Sequence, residues 1–332
     1  MRSSPYALLL VFGFLGMPGL AMSAPPALAF PLACRIGQSC EVQNYVDRDP
    51  GPGAKDYRCG SETYQAHNGL DIRIADLAAQ RAGVAVLAAA PGRVSRLRDG
   101  VLDVSVKAAG APAVTGQECG NGLVIDHGDS WETQYCHLAR GSLRVKVGEM
   151  VAVGQPIASV GLSGFTQYPH LHITVRHGGA VVDPMAVSMA PGACEARSIV
   201  GASLWTPSAQ ASLAYKPGAV LNAGFSGVVL DDAMLEAGGL APPGQAAAVL
   251  VAYVRAINLQ LGDVQTLVLK DPAGAILAQS KAAPLDHSKA QVLLFVGRKQ
   301  PVAGWAHGVY HADYAVLRGG AVVVRHSFEI RL

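Results

Sequence analysis

Pro169-His170-Leu171-His172-Ile173-Thr174-Val175-Arg176 alternates polar and apolar side chains residue by residue. That is the pattern of a β-strand with one buried face, and it directs both histidines to the same side of a sheet. Two other segments carry similar donors: His67-Asn68-Gly69-Leu70-Asp71 and Tyr135-Cys136-His137-Leu138. His67 and Asp71 are spaced for one helix face, but Gly69 and the following Ile72-Arg73-Ile74 argue for a loop entering a strand. Zinc takes imidazole nitrogen and carboxylate oxygen, and a catalytic site uses three protein ligands so that water can hold the fourth position. His67, Asp71 and one histidine of the His170/His172 pair would supply that set. A His-x-His pair or a His-x-x-x-Asp spacing alone is weak; the ordered combination carries the weight.

Outward from these segments, short alternating runs separated by Gly turns predict strands over 72–75, 84–89, 92–97, 102–107, 122–126, 132–137, 150–153, 156–160 and 171–176. The fold class is therefore mainly β, with an antiparallel core. Residues 30–60 form a Cys-, Pro- and Gly-rich lead-in expected to wrap that core. From about Ser198 the character changes. Runs at 247–257, 264–270, 276–280, 291–296, 309–317 and 322–330 predict an immunoglobulin-like β-sandwich. The expected division is 1–29, 30–60, 61–197 and 198–332. The C-terminal unit is read either as a packing partner beside the groove or as a module that binds cell wall or a protein.

Composition narrows the function. The 332-residue chain has a net charge of only +2 and no basic block or stacking aromatic run, which argues against nucleic acid as a partner. Arg2, the apolar run at 6–15 and the small residues after Pro18 read as an export signal. Ala27-Leu28-Ala29 is the preferred cleavage site; Ser23/Ala24 is the alternative, and an uncleaved anchor is the rival reading. Six cysteines in an exported chain predict disulfides and an oxidising compartment. The preferred pairing is Cys34–Cys40, Cys119–Cys136 and Cys59–Cys194. Strand alternation would point Cys136 and His137 to opposite faces, so a Cys/His protease is disfavoured. His127, His177, His287, His307, His311 and His326 are read as surface or structural. Residues 147–157 also have the turn pattern of biotinyl and lipoyl carrier domains, but no lysine lies between Lys146 and Lys216 to be acylated.

Residues from about Gly53 to Pro184 resemble the catalytic domain of the lysostaphin-type (LytM-like) zinc metallopeptidases, which cut peptide bonds in bacterial peptidoglycan. The resemblance rests on His67-x-x-x-Asp71, the segment 121–128, Tyr135-x-His137-Leu138, and Gly161-x-Ser163-Gly164 leading into Pro169-His170-Leu171-His172. It implies one Zn2+ per chain held by His67, Asp71 and His172, with His137 and His170 as the non-ligand catalytic pair. Attack by a zinc-bound hydroxide is the implied chemistry. It further implies a periplasmic or secreted endopeptidase acting on peptidoglycan peptides, with D,D-endopeptidase activity favoured over cleavage of glycine bridges. Two rivals stand beside it. One is a secreted peptidase acting on another bacterium's wall or on Gly-rich proteins; the other is a non-enzymatic wall-binding regulator or activator of other hydrolases.

Overall fold

The computed structural model describes residues 24–195 and 202–332; the apolar run expected to be an export signal lies outside the described residues. Among the described residues no helix is long and apolar enough to cross a membrane. The first part of the chain contains β1 (Cys40–Asn44), β2 (Leu70–Ile74), α1 (Leu77–Ala82), β3 (Ala85–Leu87), β4 (Gly92–Arg98) and α2 (Val106–Ala109). It continues with β5 (Asn121–Asp126), β6 (Trp131–Leu138), β7 (Met150–Val151), β8 (Pro156–Ser159), β9 (His170–His177) and β10 (Ala180–Val182). Eight strands form one antiparallel sheet in the order β1-β2-β9-β6-β5-β4-β7, with β10 also beside β9; β3 and β8 pair separately.

The alternation in β9 becomes two faces. Leu171, Ile173 and Val175 join Ile72, Ile74, Ile125 and Tyr135 in a buried core. Asp71 pairs with His172 and Arg73 with His170, so these four side chains share the opposite face. A one-residue slip of β9 would move its three apolar side chains out of the core, at roughly 1.5–3 kcal/mol each.

The second part begins with α3 (Pro207–Ser212) and β11 (Ala219–Ser226), followed by α4 (Asp232–Ala237) and β12 (Val249–Leu259). It ends with β13 (Val264–Lys270), β14 (Ile276–Lys281), β15 (Lys289–Lys299), β16 (Val309–Arg318) and β17 (Ala321–Arg331). Two antiparallel sheets, β11-β12-β15 and β14-β13-β16-β17, close around a second core that includes Leu250, Val254, Leu267, Leu269, Tyr310 and Tyr314. This is a β-sandwich. Its fourth strand pairs with β13, whereas in the constant-type immunoglobulin arrangement that strand joins the other sheet.

The two parts interlock. Leu204, Trp205, Ala209 and Leu213 belong to the first core, not the second. Leu28 is also fully buried there, its N–H donating to Leu204 O at 2.7 Å. Across the junction, Arg73 and Arg255, both buried, donate to the same Glu236 oxygen on α4, at 2.9 and 2.5 Å.

One expected strand is not formed. The apolar alternation at 102–107 finds no neighbouring ladder. Asp103 instead accepts the Leu162 and Arg140 N–H groups at 2.7 and 2.8 Å, and Ser105 caps the short helix α2. The structure also adds β1, β10 and β11, which no expected run covered.

Candidate metal centre and groove

The disulfides are Cys34–Cys40, Cys59–Cys194 and Cys119–Cys136, and no described cysteine is free. The third one frames the centre. Cys136 pairs with His172 across β6 and β9, so it lies on the same face as the histidines, contrary to simple alternation from His137. The reason is a bulge. His137 has φ of 59° where the β5–β6 register shifts, and its N–H donates to Cys119 O at 2.8 Å instead of continuing the ladder. The extra residue turns His137 back toward His172. Cys136 is spent in the disulfide, so no thiol faces the cavity.

Each imidazole is oriented by a hydrogen bond away from the centre. His67 Nδ1–H donates to Tyr45 O at 2.6 Å, and His137 Nδ1–H donates to Ser163 O at 2.8 Å. His170 Nδ1–H donates to Tyr168 O at 3.0 Å. Because a carbonyl only accepts, these bonds set the tautomers and leave each Nε2 facing inward as a lone pair. His172 is turned the other way: its Nε2–H donates to Asn68 Oδ1 at 3.0 Å, leaving Nδ1 inward. Sequence reading missed Tyr45, Asn68, Tyr168 and the role of Ser163. Only Ser163 carried a signal, through the Gly161-x-Ser163-Gly164 segment.

With both imidazoles neutral, three acceptors face one another. His67 Nε2 lies 3.2 Å from His172 Nδ1 and 3.2 Å from Asp71 Oδ1, and His172 Nδ1 lies 2.8 Å from Asp71 Oδ1. All three residues are buried. Such a triangle is repulsive unless a cation fills it. A tetrahedral ion with bonds of about 2.0 Å has ligand–ligand edges of about 3.3 Å, so the donor set fits zinc in type and in spacing. The electrostatics agree. Burial opposes ionisation of Asp71, but His67 and His170 outweigh it and hold the carboxyl well below its usual range. Burial likewise disfavours charge on His67, yet the Asp71 carboxylate raises its pKa; the pocket attracts positive charge.

His170 Nε2 is farther from Asp71 Oδ1, at 3.5 Å, and its ring lies 4.6 Å from that of His137. Burial, reinforced by His170 and His172, pushes the pKa of His137 well down, so its inward nitrogen stays a proton acceptor. The remaining histidines sit elsewhere. His127 bonds Pro91 O and Thr133, His177 stacks on Trp131, and His287 and His311 pair with surface carboxylates. His307 meets Gln245 and His326 meets Phe328.

The sequence model of Peptidase family M23 matches residues 65–184. That span holds the whole cluster. Residues 65–184 are thus similar to peptidase family M23. An uncharacterized metalloprotease of Haemophilus influenzae is 31% identical over 126 residues, covering 38% of this chain and 22% of that protein. Peptidoglycan DD-endopeptidase ShyB of Vibrio cholerae is 40% identical over 70 residues, covering 21% of this chain and 16% of that protein. The chain thus spans about a fifth of the length of these curated relatives. Among solved structures, a zinc-containing peptidase from Vibrio cholerae aligns with a TM-score of 0.34 and 25% identity, covering 50% of this chain and 41% of that one.

This M23-like part opens on two adjoining cavities, of about 460 and about 480 Å³, that share Tyr64, His137 and Phe165. Asp71 and His170 line the first and His67 and His172 the second. The cluster therefore lies along one groove, with space for a peptide on either side.

Proposed function

We propose that the chain is an exported, zinc-dependent endopeptidase that hydrolyses peptide cross-links of bacterial peptidoglycan, with D,D-endopeptidase specificity. The observation that carries this reading is the buried triangle of His67 Nε2, Asp71 Oδ1 and His172 Nδ1 beside two further inward-facing imidazoles on one groove floor. His67, Asp71 and His172 would hold one zinc ion, which supplies Lewis acidity and a lowered pKa for water. The chain's own contribution is proton handling and charge. His137, held neutral by burial and fixed by Ser163, takes the proton of the attacking water at Nε2. The imidazolium so formed at His137 stabilises the oxyanion and returns the proton to the leaving amine, while His170, fixed by Tyr168, faces the same space and orients the water through its inward Nε2.

The substrate class follows the likeness to family M23 and to peptidoglycan endopeptidases. Export follows the N-terminal apolar run and the three disulfides. Cleavage at Ser23/Ala24 keeps the buried Leu28 in the fold, and it is the processing we propose in place of Ala27–Ala29. The test is mass spectrometry of cross-linked muropeptides, with and without chelator, on wild type and single Ala variants. Chelator-sensitive conversion of dimers to monomers is expected. His67→Ala, Asp71→Ala and His172→Ala should lose metal and activity together. His137→Ala and His170→Ala should keep the metal and lose about 10²–10⁴-fold in rate. Unchanged muropeptides from metal-loaded wild type would reject the reading in favour of a regulator.

A further inference from the structure

One wall of the groove comes from outside the M23-like part. Asn258 and Leu259, at the end of β12, and Ser288, Lys289 and Ala290, at and just before the start of β15, line the 460 Å³ cavity together with Tyr64 and Phe165. Leu259 and Lys289 are cross-strand partners. The wall is fastened from below. Gln43, fully buried on β1, donates through Nε2 to Ala290 O at 2.9 Å and to Asn258 Oδ1 at 3.1 Å. Asn258 Nδ2 answers by donating to Gln43 O at 3.0 Å. Buried amide pairs of this kind define one docking geometry, because breaking them leaves desolvated polar groups unpaired.

Lys289 is the only lysine or arginine lining this cavity among the described residues, and the only carboxylate lining it is Asp71, on the floor. The Lys289 side chain is partly buried, and its ion-pair partner is Asp286 at 3.2 Å, whose side chain is 77% exposed. An exposed partner is weakly held and screened by water. A carboxylate entering the cavity would compete with that exposed partner for the same ammonium through a charge-assisted hydrogen bond.

We propose that the C-terminal sandwich builds one side of the substrate groove and that Lys289 is a specificity residue, reading a free carboxylate on the peptide near the scissile bond. This rests on the peptidase reading above. The experiment compares cross-linked peptide dimers whose diaminopimelate carboxylates are free or amidated. Wild type should favour the free acid about tenfold in kcat/KM, through KM. Lys289→Gln should close the gap between the two substrates, and Lys289→Glu should invert it. Binding of the same peptides to His170→Ala, followed by calorimetry, gives a readout independent of turnover. If wild type cleaves neither peptide, the peptidase reading fails while the binding preference still decides the role of Lys289. Equal affinities for acid and amide, or an equal loss on both in Lys289→Gln, would overturn it.

Discussion

Gly69 shows what single residues contribute to the centre. A Cβ at this position would lie 2.6 Å from both Cε1 and Nε2 of the His172 ring and 2.7 Å from Ile173 O. The ring can reach Asn68 because nothing occupies that space. Gly69→Ala should therefore push His172 off its Asn68 bond and weaken metal binding about 10–100-fold, as loss of an orienting partner does. Metal titration against a competing chelator would measure it; unchanged affinity would mean that the ring has room elsewhere. The donor types at this scale were legible in the sequence, since histidine and aspartate at these spacings have few other uses in combination. The orienting atoms were not. Tyr45 O and Tyr168 O are backbone carbonyls, and no side-chain pattern marks a carbonyl as the partner of a distant ring.

At the scale of elements, the strands that could be read were those carrying an apolar or alternating run, such as β5, β6, β9 and β13. β1 could not be read because Glu41, Gln43 and Asn44 are polar yet buried, and Glu41 and Gln43 find their partners far along the chain, in Lys216, Asn258 and Ala290. β6 was read as a strand but its bulge was not, and the bulge is what brings His137 to the centre. Two devices hold it: the bond from His137 N–H to Cys119 O and the Cys119–Cys136 disulfide, which closes a loop of sequence separation 17. Replacing both cysteines by serine should cost roughly 2–3 kcal/mol of stability. More tellingly, it should lower turnover by a larger factor than it lowers metal content, because His137 is not in the donor triangle. Denaturant melts, metal analysis and muropeptide cleavage on one preparation would separate these effects. A proportional loss of metal and turnover would show that the disulfide supports the whole centre instead.

At the scale of the whole molecule, the junction between the two parts decides how the protein behaves as a unit. Glu62 sits in it, accepting from Asn258 Nδ2 at 3.2 Å. Burial first, and then the neighbouring Asp56, push its pKa from 4.5 up to about 9. Between those values the folded chain holds a proton that the unfolded chain has lost. Stability must then fall as pH rises through that window, by up to about 1.4 kcal/mol per pH unit. Glu62→Gln should flatten this slope in melts between about pH 5.5 and about pH 8.5; an unaltered slope would remove Glu62 from the account. A cut after Ser198, where the sequence changes character, tests the junction more severely. It removes Leu204, Trp205 and Leu213 from the first core, at roughly 1.5–3 kcal/mol each, from a protein whose total stability is of order 5–15 kcal/mol. Like any cut before α4, including one after Lys216, it also deprives the buried Arg73 of Glu236, so the two fragments differ in the residues they leave on the first core. Such a fragment should aggregate or melt without cooperativity. A cut after Lys216 keeps α3 and the aromatic stack of Tyr45 on Tyr215, and should give a soluble, metal-binding domain of lower melting temperature. If instead the shorter fragment melted cooperatively near the full-length temperature, the residues at 204–213 would be a passive strap, and the sandwich would owe its place to the groove alone.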